Sequence, residues 1–307
     1  MKRVKVIAGS ANPELAARIA SLLGVPLGRM HVESFPDGES NPCVVDPVDG
    51  CVAVLVQPTS PAVNENLMEL LLSVDSLLRA GACRVIAVVP YFGYARQCKE
   101  TPLGSPLSAK VVAQLIEQVG AGAVIASDLH DPTISRHISI PFWNVRTEEA
   151  IANYIRASFS TEKNVVIVAP DRGGADRAHA VATRLSLPAA VLEKKRERAG
   201  GSVWSAVAEA EIGSLEGKRA IIVDDMVSTG STLVAAALTL RRQGADVLGA
   251  VCTHGILCSG APERLEQVAL RRLAISDSVS VSCSSPVLER FSIAAPLVAV
   301  ITEATKL

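Results

Sequence analysis

The sequence predicts an α/β fold in which mostly parallel sheets are flanked by helices. Short apolar, β-branched segments alternate with helical segments along the chain, and this alternation is typical of parallel sheets covered on both faces. A chain of 307 residues has the length of about two domains. The alternation restarts after Pro141, so we expect two tandem domains, 1–145 and 146–307, with the last helix as a candidate to pack back on the first domain.

The first half opens with a strand at Val4–Ala8, where β-branched residues predominate. Asn12 and Pro13 follow as a helix cap and a first helical residue, and Gly24 ends the helix that they open. By the same criteria we expect further strands at 51–57, 84–90 and 123–127, and further helices at 64–80 and 108–119.

The second half repeats the alternation of strands and helices. Strands are expected at 165–169, 189–192 and 220–223, and helices from about residue 148 and over 174–185. Each half contains an apolar strand that runs into a proline, at Pro90 and at Pro170, and this hints at an internal duplication.

The composition limits the classes of function. Lys and Arg number 30 and Asp and Glu 31, so bulk charge does not favour a binder of nucleic acid or of anionic membranes. The 3% of aromatic residues leaves little for base stacking, and no apolar stretch reaches about 20 residues. An odd number of cysteines without a CxxC pair favours reduced thiols. We therefore expect a cytoplasmic protein without an export signal that binds neither nucleic acid nor membrane.

Ligands of parallel α/β sheets bind where strands end. The strand end with the most polar residues is the one that follows the strand at 220–223. The residues there are Asp224, Asp225, Ser228, Thr229, Gly230, Ser231 and Thr232. N–H groups and hydroxyls at a helix N-terminus bind anions, and the acid pair suits sugar hydroxyls or a hydrated metal. A sugar phosphate would bind to both the acid pair and the hydroxyl-rich turn. The alternative is an ordinary capped helix, because Ser and Thr are common helix caps. The nucleotide loops GxGxxG and P-loop are absent from the sequence.

Two further strand ends carry candidate ligands. Asp171 precedes a glycine pair after the strand at 165–169, where it suits a metal or ribose role or caps the next helix. His130 follows the strand at 123–127 and suits contact with a metal-bound phosphate, although a single histidine is usually structural.

Two basic elements also follow strands. Arg96 and Gln97 come after the strand at 84–90, and Lys194 and Arg196 come after the strand at 189–192. In a chain with a formal charge of -1, such clusters suit a polyphosphate or an anionic transition state. The alternative is a solvated surface loop.

Taken in order, these motifs resemble the ribose-phosphate pyrophosphokinases, also called phosphoribosyl pyrophosphate synthetases. The motifs that carry the resemblance span nearly the whole chain, at 12–16, 35–39, 66–70, 90–97, 128–130, 171–174, 194–196, 224–232 and 253–255. The resemblance implies two domains of the phosphoribosyltransferase type, the first with ATP elements and the second with the ribose 5-phosphate loop. It also implies transfer of the β,γ-diphosphoryl group of MgATP to the C1 hydroxyl of ribose 5-phosphate, which leaves AMP.

The resemblance assigns roles to individual residues. Lys194 and Arg196 look like the catalytic cations, and Arg196 also contacts ribose 5-phosphate. The other ligands of ribose 5-phosphate are Asp224, Asp225, Ser228, Thr229, Gly230, Ser231 and Thr232. ATP contacts Arg96 and Gln97, together with Phe35, Asp37, Gly38 and Glu39 of a neighbouring subunit. His130 and Asp171 position Mg²⁺, and the family implies a homo-oligomer based on dimers, with a hexamer among the alternatives.

Several positions depart from the family pattern. Cys98 stands where an acid usually follows Arg-Gln, and beyond Lys99 the segment to Ser105 lacks further basic residues. These departures put the family's usual activation by phosphate and inhibition by ADP in doubt. The serines at 228 and 231 replace an acid and a glycine but still offer hydroxyl groups, and Ser139 and Trp143 replace acids.

Two other functions stay open. A non-catalytic regulatory subunit associated with a synthetase would keep the fold, but the intact residues Lys194, Arg196, His130 and Asp171 argue against it. A phosphoribosyltransferase that consumes the activated sugar would share the segment 224–232, whereas the doubled domain and Arg96-Gln97 favour the kinase.

Overall fold

The chain divides into two compact units, each with its own sheet. The computed structural model describes residues 3–196, 202–210, 214–258, 260–268 and 270–306. The first unit comprises Met1–Arg146, Asp277–Ser280 and Ile293–Leu307, and the second comprises Thr147–Ser276 and Val281–Ser292. Both units are α/β structures with mostly parallel sheets, which confirms the predicted fold class.

The elements follow one another in the predicted alternation. The strands are β1 (Val4–Ala8), β2 (Leu27–Gly28), β3 (Met30–Ser34), β4 (Ser40–Val44), β5 (Val52–Val56), β6 (Arg84–Val89), β7 (Ala123–Ser127), β8 (Phe142–Val145), β9 (Val165–Ala169), β10 (Ala189–Arg196), β11 (Ser202–Ala210), β12 (Arg219–Val227), β13 (Asp246–Gly255), β14 (Arg272–Ser276) and β15 (Leu288–Phe291). The helices are α1 (Pro13–Leu23), α2 (Val63–Arg79), α3 (Ser108–Gln118), α4 (Glu148–Ser158), α5 (Ala175–Leu185), α6 (Ser231–Arg242), α7 (Ala261–Glu266) and α8 (Ala294–Ala304). Short 3-10 helices span Pro132–His137 and Arg172–Gly174.

The sheet of the first unit has the strand order β2-β1-β5-β6-β7-β8, and all of its neighbouring strands are parallel. Its core includes fully buried Leu70 and Leu77 from α2 and Ile116 from α3. Helices α1 and α8 pack on each other and against β1, β7 and β8. The last helix of the chain is therefore part of the first unit.

Helix α1 begins and ends where its sequence indicates. Oδ1 of Asn12 accepts a hydrogen bond from the Leu15 N–H at 3.1 Å, which satisfies one of the donors that a helix N-terminus leaves unpaired. Pro13 is the first helical residue, a position that requires no N–H. Gly24 ends the helix with φ at 65°, a left-handed conformation that glycine adopts without a steric penalty.

The sheet of the second unit has the order β11-β10-β9-β12-β13-β14-β15, and β10–β11 is its antiparallel pair. The interior strand β9 is buried on both faces. Val166 and Val168 pack in one apolar cluster with residues of α6, and Ile167 and Ala169 pack in another with residues of α4 and α5. Burial on both faces explains the uninterrupted apolar run of this strand.

Two of the differences between the fold and the sequence prediction involve candidate site residues. Strands β3 and β4 form a separate antiparallel hairpin in the first unit, in a segment to which the sequence assigned no strand. Strand β12 continues beyond Val223 to Val227, because β13 pairs with it along this length, including Asp224 with Cys252 and Met226 with His254. No helix in the described ranges has the length and the apolar character needed to span a membrane.

Candidate functional site

Strands β9 and β12 are neighbours, so the polar residues near their carboxyl ends lie at one edge of the second unit. Asp171 follows β9 and accepts a hydrogen bond from the Gly173 N–H at 2.9 Å, which caps the 3-10 helix. A Cβ placed on Gly174 would lie 3.8 Å from Oδ1 of Asp224. The turn that carries Asp171 is therefore packed beside the acid pair of β12.

The acid pair Asp224 and Asp225 lies inside β12 rather than beyond it, which corrects the expectation that both acids leave the strand. Oδ1 of Asp224 accepts a hydrogen bond from the Asp225 N–H at 2.9 Å. Burial, and next the charge of Asp225, hold the pKa of Asp224 well above its usual range, while Arg177 opposes this shift. Donors or cations from a ligand would relieve the cost of the buried negative charge.

The hydroxyl-rich turn after β12, which we call the phosphate loop (residues 228–232), leads directly into α6. Gly230 has φ at 78° and is the residue before the first helical residue, Ser231. The side-chain oxygens of Thr229 and Ser231 lie 3.0 Å apart, and Oγ of Ser228 lies 3.2 Å from Sγ of Cys258. Because the first N–H groups of a helix have no partner within it, this turn has the donors that an anion needs.

Lys194 and Arg196 belong to β10, which continues to Arg196 instead of ending at residue 192 as predicted. Their backbone pairs with Trp204 and Ser202 of the antiparallel strand β11. The side chains of both residues lie outside the part of the chain that the structure describes. The basic segment is thus built on a strand pair at the edge of the sheet of the second unit.

In the first unit, Arg96 and Gln97 follow β6, and both residues are exposed. Gln97 is anchored to α3: its Oε1 accepts a hydrogen bond from Oγ of Ser108 at 2.6 Å, and its carbonyl accepts one from the Ala109 N–H at 3.2 Å. The turn containing Arg96 is therefore fixed to the start of a helix.

His130 follows the neighbouring strand β7 and is exposed. Asp128, two residues earlier, has φ at 44°, and the Leu129 N–H donates to Oδ1 of Asn144 on β8 at 3.0 Å. The adjacent Asp131 accepts hydrogen bonds from Cys98 Sγ at 3.0 Å and from Thr133. Strand pairing and this contact bring the His130 and Arg96 segments to the same edge of the first unit.

The remaining candidates Phe35, Asp37, Gly38 and Glu39 form the turn of the β3–β4 hairpin. The Phe35 N–H donates to the Glu39 carbonyl at 2.8 Å, and the Glu39 N–H donates to Oδ1 of Asp37 at 3.2 Å. The ring of Phe35 is 48% exposed. This turn belongs to a sheet of its own, separate from the strands that precede Arg96 and His130.

The candidate metal ligands fall in different units, His130 in the first and Asp171 in the second. Among the described residues, no group of three or more His, Cys, Asp or Glu side chains could hold a metal ion. Mg²⁺ usually keeps several waters and binds through one or two carboxylates plus substrate phosphates. The carboxylate oxygens of Asp171 and the neighbouring acid pair are of the kind that Mg²⁺ prefers as ligands.

Two structural contacts of these segments were missed from the sequence. The guanidinium Nη1 of Arg264 on α7 donates a hydrogen bond to the Thr229 carbonyl oxygen of the phosphate loop. The Cys98 thiol donates a hydrogen bond to Oδ2 of Asp131. Each joins residues more than 30 positions apart in the chain. The only signal in the sequence was the departure from the family pattern at Cys98.

Comparison with known proteins matches both units to family models. Residues 4–120 match the N-terminal domain of ribose phosphate pyrophosphokinase, and residues 144–276 match the phosphoribosyl transferase domain. Both matches agree with the resemblance seen in the sequence.

Named relatives cover nearly the whole chain. The ribose-phosphate pyrophosphokinase of Maricaulis maris is 41% identical over 296 residues, covering 95% of this chain and 93% of the relative. The enzyme of the same name from Bacillus subtilis is 38% identical, covering 94% of this chain and 89% of the relative. The crystal structure of phosphoribosylpyrophosphate synthetase from Mycobacterium smegmatis superposes with a TM-score of 0.89 at 32% identity, with 99% of each chain covered. The chain belongs to the ribose-phosphate pyrophosphokinase family.

Proposed function

We propose that this protein transfers the β,γ-diphosphoryl group of MgATP to the C1 hydroxyl of ribose 5-phosphate, giving 5-phosphoribosyl 1-diphosphate and AMP. The observation that carries the proposal is the acid pair of β12 leading into the phosphate loop at the start of α6, in a chain of this family. This arrangement offers complementary groups for the hydroxyls and for the phosphate of one small sugar ester.

Ribose 5-phosphate is the ligand that we assign to the second unit. The N–H and hydroxyl groups of the phosphate loop, from Ser228 to Thr232, would bind the 5-phosphate. Asp224 and Asp225 would accept hydrogen bonds from the ribose hydroxyls or hold the associated metal. Asp225 is buried and burial raises the pKa of Asp224, so donors or cations supplied by a ligand would favour the ionised form of the pair.

ATP is the ligand that we assign to elements of the first unit. Arg96 and Gln97 would contact the nucleotide, and Arg96 carries the positive charge that a polyphosphate requires. Phe35, Asp37, Gly38 and Glu39 would contact ATP bound to a neighbouring subunit. An exposed aromatic ring on a hairpin turn supports this role, since stacking on a base would bury it. The assignment requires a homo-oligomer, based on dimers.

Mg²⁺ is the cofactor that we assign, with His130 and Asp171 as the residues that position it. The ion, when bound with the polyphosphate, supplies positive charge that offsets the negative charge on the phosphoryl oxygens. Asp171 would act as an oxygen ligand, and His130 would contact the metal or a phosphate that the metal binds. We place the protein in the cytoplasm.

The reaction needs orientation and neutralisation of charge more than covalent help from the protein. The C1 hydroxyl oxygen attacks the β-phosphorus and loses its proton to solvent, and the bond from that phosphorus to the oxygen it shares with the α-phosphate breaks, so that AMP leaves. Lys194 and Arg196 would stabilise the charge that develops on these oxygens. Arg196 would also contact the sugar phosphate.

The test is an assay of AMP release by the purified protein with ATP, ribose 5-phosphate and Mg²⁺. We expect turnover that stops when EDTA removes the metal. A regulatory subunit would show no turnover alone, and a phosphoribosyltransferase would instead release diphosphate from the activated sugar when given a nucleobase. Either of these results would overturn the proposal. Native mass measurement at assay concentration checks the oligomer, and a monomer that turns over would contradict the shared ATP site.

A further inference from the structure

Three consecutive carbonyl oxygens, from the last residue of β12 and the first two residues of the phosphate loop, accept hydrogen bonds from the same stretch of the chain. We call this stretch the bracing segment, and it consists of residues 256–258 and helix α7. The N–H groups of Ile256 and Leu257 donate to the Val227 carbonyl at 2.9 and 3.1 Å. The Cys258 N–H donates to the Ser228 carbonyl at 3.0 Å.

The third carbonyl, that of Thr229, receives its hydrogen bond from a side chain. The donor is Nη1 of Arg264, which lies on α7 and is partly buried. Beside it, Leu265 packs against the loop so closely that a Cβ on Gly230 would lie 3.0 Å from Cγ of Leu265. Helix α7 therefore contacts the loop through two adjacent residues, one by a charged hydrogen bond and one by packing.

The orientation of a carbonyl fixes the orientation of the next N–H, because a trans peptide unit is planar and its C=O and N–H point in opposite directions. When the carbonyls of Val227, Ser228 and Thr229 point toward the bracing segment, the N–H groups of residues 228–230 point away from it. An anion is bound by N–H groups and repelled by carbonyl oxygens. The bracing segment thus arranges this part of the loop for anion binding before any ligand arrives.

We infer that Arg264 is a positioning residue for the phosphate loop, which acts through the Thr229 carbonyl to direct the Gly230 N–H toward the bound phosphate. The inference rests on the proposed function for its ligand. Backbone donors hold the first two carbonyls, so a side-chain substitution leaves them in place. The third is bound by the Arg264 guanidinium group, and a change at Arg264 removes this hydrogen bond.

Kinetics of Arg264→Ala test the inference. We expect the KM for ribose 5-phosphate to rise about tenfold, the usual effect of losing one hydrogen bond to a charged group, with little change in kcat or in the KM for ATP. Arg264→Lys keeps a charged donor and should recover part of the loss. Arg242→Ala, which removes an exposed arginine at the far end of α6, should match the parent protein. Equal KM values for Arg264→Ala and Arg242→Ala, or no recovery with lysine, would overturn the inference.

Salt dependence separates a hydrogen bond to the loop from simple attraction of the phosphate by a positive charge. If Arg264 acts through Thr229, the KM of Arg264→Ala divided by the KM of the parent should stay constant when the salt concentration is raised about tenfold, from roughly 0.05 to 0.5 M. A ratio that shrinks with salt would indicate screened long-range attraction and would contradict a positioning role.

Hydrogen exchange makes the result independent of the proposed reaction. Exchange at the loop is measured at the Val234 amide, which donates to the Gly230 carbonyl at 3.0 Å; this amide should exchange faster in Arg264→Ala than in the parent protein, while the amides of β12 and β13 keep their protection. If the parent shows no turnover of ribose 5-phosphate but exchange changes as expected, the proposed function fails and the positioning role stands. Unchanged exchange in the loop, together with normal turnover by the parent, would remove the positioning role alone.

Discussion

The thiol of Cys98 donates a hydrogen bond to Oδ2 of Asp131 over 3.0 Å. This contact joins the segment after β6, which carries Arg96, to the segment after β7, which carries His130. Burial, and next the hydrogen bond to Asp131, raise the pKa of the thiol, so Cys98 stays protonated and serves as the donor. The usual acid of the family pattern at position 98 would instead face a second carboxylate here.

Restoring that acid with Cys98→Asp should therefore destabilise the protein. Two carboxylates a few ångströms apart and partly buried repel each other, and we expect a loss of about 1–2 kcal/mol in the free energy of unfolding relative to the neutral variant Cys98→Asn. The penalty should shrink at pH 4.5, where the pair can share a proton. Urea unfolding at pH 7 and pH 4.5 measures both values, and equal stability of the two variants at pH 7 would contradict the repulsion.

Asp131→Asn tests the same contact from the other side. Hydrogen bonds from Thr133 first, and the bond from Cys98 in addition, lower the pKa of Asp131 to about 2 from 3.8. The folded state thus favours the ionised form, so its contribution to stability is present above pH 4 and is lost as the pH falls from about 4 toward 2. We expect the variant to lose about 1 kcal/mol at pH 7, after discounting for partial exposure.

The readout for Asp131→Asn is the difference from the parent protein in urea unfolding between pH 7 and pH 3. That difference should fall to roughly half by pH 3. Asp75→Asn is a matched control, since Asp75 pairs with Arg79 on the surface of α2 and is 46% exposed. A deficit for Asp131→Asn that stays constant with pH would show that ionisation of Asp131 does not contribute.

Gly230→Ala should impair the phosphate loop more than it impairs the fold. A left-handed φ of 78° costs an alanine about 1 kcal/mol, and the new Cβ would press on Leu265. Gly217→Ala is the control, because Gly217 has φ at 69° with no atom within 4 Å of the added Cβ. Gly217→Ala should lose stability to urea from the backbone strain alone and Gly230→Ala somewhat more, whereas about a tenfold rise in the KM for ribose 5-phosphate is expected for Gly230→Ala alone. The same rise in both would assign the effect to general strain.

Lys194→Ala should bind both substrates and turn over poorly. Removal of one preorganised electrostatic contact with the transition state commonly lowers kcat by about 10²- to 10³-fold. Calorimetric binding of ribose 5-phosphate and a non-hydrolysable ATP analogue should be close to that of the parent protein. Lys195→Ala provides the matched loss of charge at the adjacent residue of β10, where the resemblance assigns no role. Near-normal kcat for Lys194→Ala would remove the proposed role of this residue.

The parallel strands could be predicted from the sequence because burial on both faces leaves a recognisable apolar run, as in β5 and β9, where every residue is buried. The β3–β4 hairpin could not, since Pro42 lies within β4 and proline argues against a strand. The hairpin has two strands, so each strand is an edge strand within this hairpin. An edge strand tolerates Pro42, because no partner strand requires an N–H on the open side. Tertiary pairing likewise extends β12 through two acids that strand propensity disfavours.

The site was predictable where it depends on position along the chain and not where it depends on contacts between distant side chains. The positions of Asp171 and Asp224 in the second unit and of His130 in the first could be predicted because parallel strands of a sheet end at the same edge, and the ligand roles of these residues stay predictions. The bond from Arg264 to Thr229 joins residues 35 positions apart, and no local pattern marks it. The Cys98 departure was visible, but its physical reason required the position of Asp131.

Asp224→Asn should stabilise the protein while it weakens binding of ribose 5-phosphate. Burial, and next Asp225, raise the pKa of Asp224 above 3.8, so the folded state holds its proton more tightly than the unfolded state. Ionisation therefore costs stability progressively as the pH rises above about 4, and an uncharged asparagine escapes that cost. The amide oxygen of asparagine can still accept the Asp225 N–H bond that Asp224 accepts at 2.9 Å.

We expect the free energy of unfolding of Asp224→Asn to exceed that of the parent by about 1 kcal/mol at pH 7, and the difference to vanish near pH 4. Urea unfolding without Mg²⁺ measures this, and calorimetry should show at least about tenfold weaker binding of ribose 5-phosphate. Asp246→Asn, which removes an exposed partner of Arg271, should change neither quantity appreciably. A variant that is less stable than the parent at every pH would contradict the cost of ionising Asp224, and unchanged calorimetric binding of ribose 5-phosphate would contradict its role as a ligand-binding residue.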